Sequence, residues 1–151
     1  MALAVVAEQR TDAATGTVSL VDMIYVCDTM NHRILKVDLT NIIMPVSLVV
    51  GSGVRGFSVD GTAPENCQLN APMGVALNPI TGHVTFVDSS DRVREITDDH
   101  VVRTIAGGGS LNDVSGSSAT DVSLAGLTSL LFADDGLYVC ATAQNRIVFI
   151  Q

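Results

Sequence analysis

The chain has 151 residues, a formal net charge of −8 with a pI near 4.5, and a mean hydropathy of +0.39. That length fits one domain able to bury a core. Its 8 Lys and Arg are scattered, which argues against phosphate-backbone binding through a cationic stripe, and no window reaches the ~18 unbroken apolar residues of a membrane helix.

Glycine is frequent at 13, charged residues make up 16%, and there is no Trp; with abundant Val and Ile this is β-propensity punctuated by turns. The opening MALAVVAEQR is too short and lacks the basic start of a signal peptide, so no address is read from it and no compartment is assigned. Cys27, Cys67 and Cys140 form no CxxC and are odd in number. They are expected to be buried small hydrophobes rather than a disulfide framework.

In chain order, the first strand is LAVVA (3–7). MIYVCDTMNHRILKVD (23–38) reads as a strand, a polar turn, an arginine and another strand, and LVVGSG (48–53) closes the unit. The next residues contain GSGVRG (51–56), a literal G-x-G-x-x-G after a β-branched run. A dinucleotide fingerprint needs a helix opening at its third glycine. Here FSVDGTAPENC follows, and Gly61 and Pro64 break any helix. The stretch is read as the exit into a connector covering 51–72.

The middle unit predicts strands at 73–77, 83–88, 92–97 and 101–107, joined by NPITG, SSD and DDH. Connections that short require antiparallel neighbours. A second connector (107–127) leads to TSLLF (128–132) and GLYVCATAQNRIVFI (136–150). Three anchors recur: Arg33, Arg92 and Arg146 at steps of 59 and 54, Gly51 and Gly107 at 56, and Leu69 and Leu124 at 55. A four-stranded meander at a period of about 55 is one blade of a β-propeller. The expected fold is all-β, a partial propeller of about three four-stranded antiparallel blades, forming a single segment over 1–151: blade one about 1–51, blade two about 72–107, and blade three about 127–151 without its outer strand. The apolar runs IYVC, FV and LYVC are expected to be covered on both faces by adjacent blades.

CDTMNHRILKVD resembles the signature of NHL-repeat propellers, and GSGVRGFSVDGTAPENCQLNAPMGVAL is similar to that family's blade-to-blade connector. The resemblance covers nearly the whole chain. The second copy shortens its turn to SSDRV, and the third has Ala141 for the Asp and reads QNR. The family's known RNA binders make nucleic acid a second class of partner, which the acidic balance and the lack of interleaved aromatic and basic residues oppose.

Asp28 ends one strand and Arg33 begins the next, so a charge-assisted bond across the hairpin is expected, with Asp88 and Arg92 repeating it. Asn31 suits a left-handed turn position. Ala141 opposite Arg146 predicts a looser third hairpin. Cys27 and Cys140 hold equivalent places one blade apart and should not pair.

Propeller enzymes of similar fold, metal-dependent lyases and lactonases, carry metal ligands around the central channel. LAVVA, MGVAL and TSLLF offer no His, Asp or Glu, so no metal, cofactor or catalytic residue is assigned. His32 lies on one rim, whereas His83 and His100 fall in turns at the opposite rim, where the two can approach each other. A binding role is expected instead, through a rim formed by Asn31, His32, Arg33, Asp91 and the connectors. Arg55 and Phe57 are its best anchor, against the alternative that Phe57 tucks under its own loop. Fewer than four blades cannot close a ring, and an unpaired apolar edge invites association. The chain is expected to act as a noncatalytic interaction or assembly scaffold, completing its ring by self-association or with further blades. Its partner is a protein or a second copy, not a membrane. The alternatives are an enzyme whose catalytic residues lie on other blades, and an RNA-binding domain.

Overall fold

Alternating apolar residues and short polar turns fold here into meanders. The computed structural model describes residues 2–11, 15, 18–112 and 116–151. Among them, β1 (Ala2–Thr11), β2 (Val18–Asp28), β3 (Arg33–Asp38) and β4 (Val46–Val50) form the first sheet in that order. The second sheet runs β5 (Gly74–Leu77), β6 (Val84–Asp88), β7 (Arg92–Ile96) and β8 (Val102–Gly107). The third holds β9 (Leu127–Ala133), β10 (Gly136–Ala141) and β11 (Arg146–Ile150), with β10 central. All pairings between these strands are antiparallel. The protein is all-β, three propeller-like blades of which the third has three strands among the described residues.

The first hairpin is longer than its sequence suggests. β1 continues to Thr11, which lies opposite Val18 at the start of β2, because the VSLV run, with β-branched Val18 and Val21, carries pairing past the expected start at Met23. In the middle blade the expected strands agree with those observed to within one residue.

The blades stack through their inner strands, with β5 against both β1 and β9. Two cores result. Met23, Tyr25, Cys27 and Ile34 of the first blade meet Val75, Phe86 and Val102 of the second. Val87, Val93 and Ala106, on the other face of the second blade, meet Leu127, Leu130, Val139 and Val148 of the third. Each fully buried side chain of this size contributes roughly 1.5–3 kcal/mol.

Burial along the strands corrects one expectation. From Thr85 to Asp88, β6 is buried without a break, but β10 alternates between buried and half-buried, as does β2 from Met23 to Asp28. A blade with neighbours on both sides buries both faces; a blade at the end of the stack buries one, and period 2 then shows.

Connector 51–72 contains no α-helix, only one turn of 3-10 helix at Pro64–Asn66. Gly51 opens it at φ +113°, where a Cβ would come within 2.5 Å of the His32 carbonyl oxygen. The glycine serves the turn, and the dinucleotide reading has no helix to rest on.

Candidate binding rim

The turn between the second and third strands of each blade ends on a left-handed residue just before the arginine: His32 (φ 52°), Asp91 (φ 59°) and Asn145 (φ 51°). Residue preference alone favours Asn31 for that place. Asn31 instead sits one residue earlier, in the 3-10 turn, where its Nδ2 donates to Asp28 Oδ1 at 2.8 Å. Arg33 Nε donates to Asp28 Oδ2 at 2.8 Å. Arg33 first, and the Asn31 amide with it, hold the Asp28 carboxyl below its usual range.

Asp88 and Arg92 face each other across β6 and β7 but do not repeat that bond. The nearly buried Asp88 carboxylate accepts from Asn70 N at 2.8 Å, from Ser90 N at 3.0 Å, and from the Ser90 hydroxyl. Arg92 donates to Ser90 O at 2.9 Å. The shorter turn brings Ser90 into the place the arginine holds in the first blade. In the third blade, Arg146 lies opposite Ala141 in the β10–β11 register and donates instead to Gln144 Oε1, Asn112 O and Ser123 O, so it ties its hairpin to the second connector.

Two residues expected on a free rim are already engaged. His32 Nδ1 accepts from Ala71 N at 3.1 Å, and Asp91 Oδ1 accepts from Gly126 N at 2.9 Å. Ala71 and Gly126 are themselves left-handed, at φ 50° and 65°, and lie one period apart. Each pair fastens a turn to the end of the connector that follows its blade. Asn31 and Arg33 in turn are bound to Asp28, and Met30 is the exposed apolar side chain of the first turn.

Arg55 is exposed and held by Asn70 Oδ1 at 2.8 Å, where its backbone bridges to Leu69. Phe57 is 43% exposed. Its ring carries the Arg92 guanidinium at 4.5 Å and the Arg94 guanidinium at 5.2 Å. Such contacts are worth about 0.5–2 kcal/mol. Phe57 therefore joins the connector to β7 and still presents a face to solvent, combining the two roles weighed from sequence. Beside it a groove of about 290 Å³ lies between Phe57, Val59 and Asp60 on one side and Arg92, Gly108 and Thr120 on the other.

Arg94 was not singled out from sequence. It is fully buried; it donates to Ser58 O at 2.9 Å, Asp60 Oδ1 at 3.3 Å and Cys67 Sγ at 3.5 Å, and its Nε has no partner. The signal was present in RVR, since alternation puts Arg92 and Arg94 on one face of β7, the face the connector covers.

At the opposite rim each imidazole is taken by carboxylates. His83 Nδ1 meets Glu95 Oε1 and Nε2 meets Asp98 Oδ1, both at 2.9 Å, and His100 Nε2 lies 3.3 Å from Glu65 Oε2. Asp98 and then Glu95 raise the His83 pKa above its ordinary value. Among the described residues, no group of three or more His, Cys, Asp and Glu could hold a metal ion, and no helix is long and apolar enough to cross a membrane. The three thiols are free; burial pushes Cys27 up to about 12.

No model of a known protein family matches the chain, and neither does any curated protein. Solved structures do. An auxiliary nutrient binding protein from Bacteroides thetaiotaomicron VPI-5482 is similar with a TM-score of 0.61 at 20% identity, over 92% of this chain and 41% of its own. One from Bacteroides ovatus ATCC 8483 gives a TM-score of 0.63 at the same identity and coverage. At that identity the likeness is one of fold, and the chain spans about two fifths of the length of these neighbours.

Proposed function

We propose that the chain is a noncatalytic propeller segment of NHL type that binds a protein partner through the rim where connector 51–72 meets the second blade. The observation that carries this reading is Phe57, an exposed aromatic ring held by two arginines beside a groove. Aromatic and Arg side chains whose geometry is set before contact lose little entropy on binding and dominate interface energy. Arg55, tied to Asn70, is fixed in the same way. The similar nutrient binding proteins support binding over catalysis as the class of activity, and the acidic balance disfavours RNA.

The test is crosslinking of the full chain in extract, comparing wild type with Phe57→Ala and Arg55→Ala. A specific protein adduct that both substitutions abolish, with circular dichroism unchanged, is expected. An adduct indifferent to both overturns the rim. Stoichiometric metal with lactone hydrolysis would establish the enzyme alternative instead, and salt-sensitive RNA retention the nucleic-acid one.

A further inference from the structure

Each blade places an arginine at the start of its third strand, and the three spend their donors differently. Arg33 gives Nε to Asp28 Oδ2 at 2.8 Å. Arg146 gives Nε to Gln144 Oε1 at 3.2 Å, Nη1 to Asn112 O at 3.2 Å and Nη2 to Ser123 O at 3.1 Å. Arg92 gives only Nη1, to Ser90 O at 2.9 Å. Its Nε and Nη2 have no acceptor among the described residues, and both reach solvent. Asp88, which by analogy with the first blade would fill that edge, is bound to Asn70 N and Ser90 instead.

The unfilled edge is held in place. The Phe57 ring lies 4.5 Å from the Arg92 guanidinium, and at Gly108 (φ +83°) a Cβ would come within 2.5 Å of Arg92 Nε, so glycine lets the backbone pack against the same group. Arg92 lines the groove of about 290 Å³ beside Phe57, whose apolar side is formed by Phe57 and the more exposed Val59. The other charge on the groove, Asp60, is already satisfied by Thr104 N, Thr104 Oγ1 and Arg94 Nη2. Every wall belongs to the middle blade or to the connectors that flank it, and a blade stands on either side. Charge is also sorted between the rims. Arg33, Arg55, Arg92 and Arg146 stand at this one, where the Asp28, Asp88 and Asp91 carboxylates are engaged by the chain's own donors. Glu95, Asp98 and Asp99 gather at the other. The net charge of −8 therefore does not set the sign of this rim.

We propose that Arg92 and Phe57 together take an acidic residue of a protein partner: its carboxylate pairs side-on with Arg92 Nε and Nη2, and an apolar neighbour of that residue covers Phe57 and Val59. The inference rests on the reading of this rim as a protein-binding surface and names the chemistry it recognises. Two carboxylate oxygens match two unfilled donors, and a carboxylate is what the equivalent Arg33 already holds. A guanidinium fixed before contact loses little entropy on pairing. A phosphate group is the poorer occupant, because its second charge meets Asp60 in the same groove while Arg94 is fully buried and cannot offset it.

The test follows arginine Nε–H and Phe57 ring signals of the isotope-labelled full chain by NMR, with the capped peptide acetyl-Leu-Glu-Leu-amide and its Leu-Gln-Leu twin as probes. The Glu peptide should move the Arg92 signal saturably at millimolar concentration and leave Arg33, already paired, in place. Replacing Glu by Gln in the peptide, or Arg92→Lys in the chain read at the Phe57 ring, should each weaken binding by about tenfold or more. Equal responses to the two peptides, or an Arg92 signal that does not move, overturn the proposal. Inorganic phosphate that displaces the Glu peptide at lower concentration overturns it in favour of a phosphate-bearing ligand. In the crosslinking experiment, an adduct lost in Phe57→Ala but kept in Arg92→Lys overturns the carboxylate pairing and leaves the rim standing. An adduct indifferent to Phe57→Ala while the Glu peptide still moves Arg92 fails the rim and supports the Arg92 site.

Discussion

The middle and third blades start from nearly the same hairpin and differ in what stands beside them. β6 is covered from both sides, and β7 places Arg94 under a connector that supplies a carbonyl, a carboxylate and a thiol as acceptors. β10 is covered from one side, and the place of Arg94 is taken by Val148. Asp88 anchors three donors where the third blade has Ala141. Polar groups are thus buried where a neighbouring loop can satisfy them, and apolar ones stand where the same loop faces an open groove.

The largest test of that contrast is Arg94→Ala against Val148→Ala. The first removes three donated hydrogen bonds and one of the two guanidinium contacts to Phe57, and leaves a cavity; Asp60, about half exposed, is rehydrated rather than stranded. A loss of about 3 kcal/mol is expected in urea unfolding. Val148→Ala should cost about 1–2 kcal/mol. Equal losses would mean that the connector does not hold the middle blade through Arg94.

Next is Asp88→Ala, which leaves Asn70 N and Ser90 N without their acceptor in a nearly dry site. About 2 kcal/mol is expected, and amide exchange at Asn70 should quicken. Asp28→Asn should cost less, about 0.2–1 kcal/mol, because the Asp28–Arg33 pair is partly exposed and screened. Asp28 also titrates with a sign. Its folded pKa lies below the ordinary 3.8, so its contribution is present above that value and fades as pH falls through the folded one. If Asp28→Asn proved the costlier of the two, burial would not be what separates these turns.

These turns also mark what could be read from sequence. The hairpins were legible because turn residues sit at fixed offsets between apolar runs, and the middle blade agrees strand by strand. The loss of the expected Asp88–Arg92 bond was not, because it depends on one deleted turn residue and on Asn70, which arrives from 18 positions upstream. The left-handed site was misplaced by one residue because Asn31 had the better propensity, while closure against Ala71 requires the bend at His32. Arg94 was hidden for a related reason. Its acceptor Ser58 lies 36 residues away, on a loop whose path no local pattern records.

The smallest expected effect lies at the far rim, where the two blades again solve one position differently. Cross-strand neighbours Thr85 and Glu95 of the middle blade correspond to Tyr138 and Phe149 of the third. Tyr138 and Phe149 meet as rings with centroids 5.0 Å apart, whereas Glu95 reaches His83, whose other nitrogen meets the exposed Asp98. Of these two blades, only the middle one should therefore carry a histidine-dependent pH response. The His83 pKa is raised above 6.5 in the folded chain, by Asp98 first and Glu95 second. Its contribution is fully present below that unfolded value and is lost as pH rises through the folded one. With Asp98 almost fully solvated, the gain is about 0.5 kcal/mol at most. Urea midpoints of wild type and His83→Gln should differ at about pH 6 and converge by about pH 9. Tyr138→Leu should show no such convergence, its loss staying constant over the same range. A His83→Gln difference that grew toward high pH would reverse the sign and remove the ion pair as its cause.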